Sequence, residues 1–136
     1  PYLQDNESAL VLLAEDDPDT CDILNRQLNK AGWRIAIANN GQAALEMLKL
    51  EMPDLVLTDL MMPEADGFQL IDSIRNTPEW QHIPVVVLTA KDLTPNEQQH
   101  LQNRVSHVFQ KGAYNREALL NELSHAIDSA VQAEVA

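Results

Sequence analysis

The sequence predicts an α/β fold of three layers, a parallel sheet of five strands covered on both faces by five helices. The prediction rests on short apolar runs that alternate with longer segments of helical period, each boundary marked by capping or turn residues. No internal repeat or low-complexity stretch interrupts this alternation. Right-handed crossovers between parallel strands then put helices on both faces of the sheet.

The first run, Leu10 to Ala14, precedes Asp17-Pro18, where Asp17 suits a helix cap and Pro18 its first turn. Cys21, Leu24, Leu28 and Ala31 follow on one helical face, and Gly32 ends the helix. The second run, Trp33 to Ala38, leads through Asn39-Asn40-Gly41 into a helix carrying Ala44, Leu45 and Leu48, which Pro53 closes. The third, Leu55 to Leu57, ends in Thr58-Asp59, and past Pro63 and Gly67 a helix carries Phe68, Ile71 and Ile74. Val85 to Leu88 is continuously aliphatic, as a strand buried on both faces requires, and ends in Thr89-Ala90. Thr94-Pro95-Asn96-Glu97 reads as a capping box, and the helix behind it is unusually polar. A fifth run, Val105 to Phe109, precedes Lys111-Gly112, and the last helix repeats Leu119, Leu123, Ile127 and Val131.

At 136 residues and 45% hydrophobic content, the chain is sized for a single domain, 1–136, with a core at about 10–130 and flexible tails. A net charge of −12 argues against direct binding to nucleic acid or to an anionic membrane. Cys21 is the only cysteine; its helical spacing points to a buried thiol, and a lone thiol fits a reducing cytoplasm. No apolar run approaches the roughly 20 residues a bilayer span requires. Pro1 at the start is compatible with methionine removal or with a segment of a longer protein.

Ligand sites in such sheets lie beyond the carboxyl ends of the strands, where strand order reverses. There the sequence puts Glu15-Asp16-Asp17 after the first strand, Asp59 after the third, Thr89 at the fourth and Lys111 near the fifth. Each alone reads as a helix cap, a loop residue or a solvated lysine. Their convergence points to chemistry, because several carboxylates in one place repel unless protonated or bridged by a cation. Mg2+ takes carboxylate and phosphate oxygens, the Thr89 hydroxyl and the Lys111 ammonium suit a phosphoryl group, and Asp59 can serve as a nucleophile.

Together the segments LVLLAEDDPDT, PDLVLTDLMMPEADGF, PVVVLTAKD and VFQKGAYNREALL resemble the receiver domains of bacterial response regulators in two-component systems. The resemblance covers about Leu10 to Ala130 and implies a flavodoxin-like sheet in the order 2-1-3-4-5. It further implies phosphorelay signalling, in which Asp59 accepts a phosphoryl group from a phosphohistidine of a histidine kinase or histidine phosphotransfer protein. Glu15, Asp16, Asp59 and the main-chain carbonyl of Met61 would hold Mg2+, and Thr89 and Lys111 would bind the phosphoryl group. Asp17 falls one place beyond the acidic pair and reads as the helix cap. Such a domain is a phosphoacceptor switch rather than an enzyme, and it is cytoplasmic. A homodimer through the fourth helix, fifth strand and fifth helix is a candidate assembly. The endings VLTAKDLTPNE and QKGAYNREALL look particularly like receivers at the C-termini of hybrid histidine kinases, in which case the parent protein would be a kinase.

The sequence departs from that pattern at Gly112, where receivers usually carry proline after the lysine, and at Val108, where many carry Tyr or Phe as a rotameric switch. A non-proline cis bond costs about 2.5 to 4 kcal/mol, so the Lys111-Gly112 peptide is expected to be trans. Two other functions use the same ingredients. A Mg2+-dependent aspartyl-phosphate phosphatase of the haloacid-dehalogenase type needs a second aspartate where Met61 stands, and a degenerate receiver acting only as an interaction module usually lacks one of the site residues present here. His82, His100, His107 and His125 have no metal-ligand spacing, and Met61, Met62, Trp33 and Trp80 read as packing residues or loop anchors.

Overall fold

The computed structural model describes residues 9–64 and 66–135, with side chains as far as Ser129. The expected flexible tail at 1–8, residue 136 and the side chain of Val131 lie outside the described residues. The chain runs β1 (Leu10–Ala14), α1 (Pro18–Lys30), β2 (Arg34–Ala38), α2 (Gly41–Leu50), β3 (Leu55–Thr58), α3 (Gly67–Asn76), a 3-10 turn (Pro78–Trp80), β4 (Val85–Thr89), α4 (Pro95–Leu101), β5 (His107–Gln110) and α5 (Arg116–Val135). All strand pairs are parallel and the order is β2-β1-β3-β4-β5, as expected.

Local chemistry sets the helix starts. Asp17 caps α1 by accepting from the Thr20 N–H, with Pro18 in the first turn, and Asn40 caps α2 by accepting from Ala43. Asp66 and Gln69 form a reciprocal capping box on α3, as Thr94 and Glu97 do on α4. Gly32 adopts φ 98° just past the α1 C-terminus, a left-handed conformation that glycine takes without a Cβ penalty. The second and fifth apolar runs begin earlier than their strands. Trp33 closes α1 through its N–H to the Leu28 carbonyl and is buried, and Val105 N–H bonds the Leu101 carbonyl behind α4.

Alternation along the strands divides the core in two. Val11, Leu13, Leu55, Leu57, Val86, Leu88 and Phe109 pack with α1 and α5, while Leu12, Val56, Val85 and Val87 pack with α2, α3 and α4. Burying one such aliphatic side chain stabilises the fold by about 1.5–3 kcal/mol, so the two layers lock sheet and helices in one register. Within α5, Leu119, Leu123 and Ile127 are buried at the expected intervals. The polar helix α4 buries only Leu101. Among the described residues no helix is long and apolar enough to cross a membrane.

Candidate functional site

The sheet ladder continues past the strand ends and places the polar residues. Ala14 pairs with Thr58 and Ala38; one step on, the Glu15 N–H bonds the Ala38 carbonyl at 2.9 Å and the Asp59 N–H bonds the Ala14 carbonyl at 3.0 Å. Beyond β4 and β5 the Lys111 N–H bonds the Thr89 carbonyl at 2.8 Å. Main-chain pairing therefore delivers Glu15, Asp59 and Lys111, from β1, β3 and β5, to the carboxyl end of the sheet.

There the Lys111 ammonium lies 2.8 Å from Asp59 Oδ2 and 2.8 Å from Glu15 Oε1. Both acids are nearly inaccessible, Glu15 at 1% and Asp59 at 3%. Asp59 Oδ1 accepts from the N–H groups of Leu60 at 2.6 Å and Met61 at 3.3 Å, and Glu15 Oε2 accepts from the Asp17 N–H at 3.0 Å. Asp16 is exposed, yet Glu15, Asp16 and Asp59 each bring a carboxylate oxygen within 4.8 Å of the others. When all three are ionised, one ammonium leaves two negative charges uncompensated, the charge of a divalent cation.

The titration shifts agree with this shortage. Burial pushes the Glu15 carboxyl up, and the Asp59 charge adds to it, against the pull of Lys111. Burial alone would lower the Lys111 ammonium, but its hydrogen bonds to Asp59 and Glu15 outweigh that and raise it. Glu15 rises because burial outweighs the pull of Lys111, and Lys111 rises because it bonds two acids at once.

The buried Thr89 hydroxyl oxygen accepts from the Lys91 N–H at 3.1 Å. Met62 packs in the core as expected, but Met61 is 49% exposed, because only its neighbours point inward from the loop. Cys21 is half-buried rather than buried, its thiol donating to the Glu15 carbonyl at 3.3 Å at the margin of the site. Among the described residues no peptide is cis, so Lys111-Gly112 is trans, as expected. Val108 packs on the α4 side and Phe109 on the α1 and α5 side, where it also contacts His107. Phe109 therefore cannot stand in for an aromatic residue at 108. His100 pairs with Asp72, His107 lies 3.5 Å from Glu122, and His82 and His125 are exposed.

One residue that matters here was noted in the sequence only as a helix boundary. A Cβ on Gly67 would lie 2.1 Å from the Asp59 carbonyl oxygen and 2.7 Å from the Leu60 Cα, so only glycine lets the α3 N-terminus reach the backbone of the central acid. The Gly67 N–H bonds the Leu60 carbonyl at 3.1 Å. The capping pattern Asp66-x-x-Gln69 is the signal that would have drawn attention to this start.

Comparison with known proteins shows the family. Residues 11–124 match the family described as response regulator receiver domain. An uncharacterized 14.6 kDa protein of Leptolyngbya boryana is 41% identical over 80 residues, covering 59% of this chain and 61% of that protein. The response regulator PleD of Caulobacter vibrioides is 33% identical over 104 residues, covering 76% of this chain and 23% of that protein. Among solved structures, the receiver domain of a signal transduction histidine kinase from Syntrophus aciditrophicus superposes with a TM-score of 0.81 at 25% identity, over 90% of this chain and 92% of that one. The receiver domain of a sensor histidine kinase from Pseudomonas aeruginosa, with a magnesium ion coordinated in its active-site cleft, gives 0.79 at 25% identity over 89% and 98%. The chain belongs to the response regulator receiver domain family. Receiver domains are phosphoacceptor switches of two-component phosphorelay signalling, bind Mg2+ at an acidic site and interact with histidine kinases or phosphotransfer proteins. The match spans 61% of the Leptolyngbya protein and about a quarter or less of PleD, so the curated relatives carry sequence beyond it.

Proposed function

We propose that Asp59 is the phosphoacceptor, taking a phosphoryl group from a phosphohistidine on a partner kinase or phosphotransfer protein. The observation that carries this reading is the position of the Asp59 carboxylate, one oxygen on the Lys111 ammonium and the other on two main-chain N–H groups, beside Glu15 and Asp16. A carboxylate oxygen of Asp59 attacks phosphorus, an acyl-phosphate O–P bond forms and the N–P bond breaks, and the imidazole leaves with the electron pair. Lys111 would balance charge on the transferred group, and the Thr89 hydroxyl, at the end of β4, would donate to it. The carboxylates of Glu15, Asp16 and Asp59 fit Mg2+, the Met61 carbonyl would complete the protein ligands, and the bound ion would neutralise charge on phosphoryl oxygens.

Acetyl phosphate with Mg2+ tests the assignment by intact mass. The expected result is one added phosphate on the wild-type chain and none on Asp59→Asn; label that persists in the variant defeats it. We read the chain as one domain with its core at about 10–130, working in the cytoplasm, and cell fractionation checks the location. We further propose a homodimer through α4, β5 and α5; a cleft of about 710 Å³ lined by Leu93, Leu101, Val105 and Val108 on the α4 and β5 part of that face supports it. Sedimentation showing a monomer with and without acetyl phosphate would remove that assembly.

A further inference from the structure

Helix α4 is short and thinly buried, with seven residues and Leu101 as its buried member. Polar contacts hold its two ends. At the C-terminal end His100 Nε2 lies 2.9 Å from Asp72 Oδ1 on α3, with Arg104 Nε 3.8 Å from the same oxygen. At the N-terminal end the ammonium of Lys91, in the loop after β4, lies 3.4 Å from Glu97 Oε2. The main chain of Lys91 is itself tied to the site, because its N–H bonds the Thr89 hydroxyl oxygen at 3.1 Å and its carbonyl accepts from Gln110 Nε2 at 3.3 Å. A chain of direct contacts thus runs from Thr89 through Lys91 and Glu97 to α4.

Glu97 is well suited to this link. Its Oε1 accepts from the Thr94 N–H at 2.9 Å, leaving Oε2 for Lys91. The Thr94 N–H, and with it the Lys91 ammonium, holds the Glu97 carboxyl below the usual range, so it stays charged. Lys91 and Glu97 side chains are 32% and 26% accessible, enough cover for the pair to matter and enough freedom for it to open.

Phosphorylation changes the balance of charge beside this loop. A phosphoryl group carries about −1.5 to −2, against −1 for the carboxylate it modifies, and Lys111 is already shared by two acids. We propose that the Lys91–Glu97 ion pair is a latch on α4, which the phosphoryl group at Asp59 opens by competing with Glu97 for the Lys91 ammonium. This rests on Asp59 being the phosphoacceptor. Glu97 is then a positioning residue that acts through Lys91, and the latch supplies a path from site to surface in a chain where Val108 has no ring to swing and Phe109 faces the opposite layer.

The test uses Mg2+ with beryllofluoride on the 136-residue chain and on Glu97→Gln, Lys91→Gln and the double variant. Glutamine still serves the capping box through its carbonyl but cannot hold an ammonium by charge, so Glu97→Gln removes the latch and keeps the cap. Glu97→Gln is expected to lower the half-saturating beryllofluoride concentration about two- to fivefold, the range of a partly exposed ion pair, and Lys91→Gln to raise it. Glu97→Gln should have no effect in the Lys91→Gln background, and its effect should fade in high salt. Amides of Gln98 to Leu101 should exchange faster on beryllofluoride addition in wild type and already do so in Glu97→Gln. Equal saturation in all four proteins, or the same Glu97→Gln shift with and without Lys91, overturns the latch alone. Wild type whose Asp59 amide ignores beryllofluoride overturns the phosphoacceptor assignment and the latch with it.

Discussion

Replacing Gly67 with alanine tests how tightly the acid at the centre of the site is held. The new Cβ would meet the Asp59 carbonyl oxygen at 2.1 Å, the Leu60 Cα at 2.7 Å and the Asp59 carbonyl carbon at 3.0 Å, all main-chain atoms that no rotamer change can move. Relief requires α3 to withdraw, which breaks the 3.1 Å bond from the Gly67 N–H to the Leu60 carbonyl and disturbs the loop that orients Asp59. Overpacking of this kind costs about 1–3 kcal/mol and the lost hydrogen bond about 0.5–1.5 kcal/mol, so Gly67→Ala should destabilise by about 2–4 kcal/mol. For a chain of this length that lowers the melting temperature by roughly 6–16 °C, read by circular dichroism, and slows labelling by acetyl phosphate. Gly112→Ala is the internal control. A Cβ at Gly112 meets nothing within 4 Å, and the same substitution there should shift stability by less than about 0.5 kcal/mol. A Gly67→Ala protein that melts with wild type and labels at its rate would refute the argument.

Further perturbations reach other parts of the structure. Burial raises Glu15 above its ordinary value of 4.5, so its contribution to stability is full below that value and is lost as pH rises through the higher folded value. Glu15→Gln should therefore raise the melting temperature at pH 7 without Mg2+ and flatten the profile above pH 4.5; identical profiles would count against this. Met61, half exposed beside Asp59, offers attacking water no strong hydrogen bond, so Met61→Asn should speed decay of the phosphorylated domain by up to about tenfold, or about 1.4 kcal/mol off the barrier. Unchanged decay with normal labelling would end that idea. The Arg75 guanidinium donates to the carbonyls of Gln81, Ile83 and Arg104, and Arg75→Met, which strands the part-buried Ile83 carbonyl and leaves the exposed two to water, should cost about 1–3 kcal/mol in urea unfolding.

The sequence by itself determined the order and kind of every major element, because apolar period and capping chemistry act over a few residues and survive without tertiary context. The runs at Leu10, Leu55 and Val85 and the caps at Asp17 and Thr94 lie where their local patterns put them. It also brought Glu15, Asp16, Asp59, Thr89 and Lys111 to strand ends, since a parallel sheet sends all its carboxyl ends to one edge. Tertiary structure alone decided what depends on distance between segments far apart in the chain. That Lys111 is shared between Glu15 and Asp59, that Gly67 must lack a side chain against the Asp59 backbone, and that Arg75 ties three carbonyls together are each contacts across layers, with no local period to announce them. The same holds for Val108 and Phe109. Successive strand residues face opposite layers, and the sheet sets Phe109 against α1 and α5 while Val108 meets the α4 side.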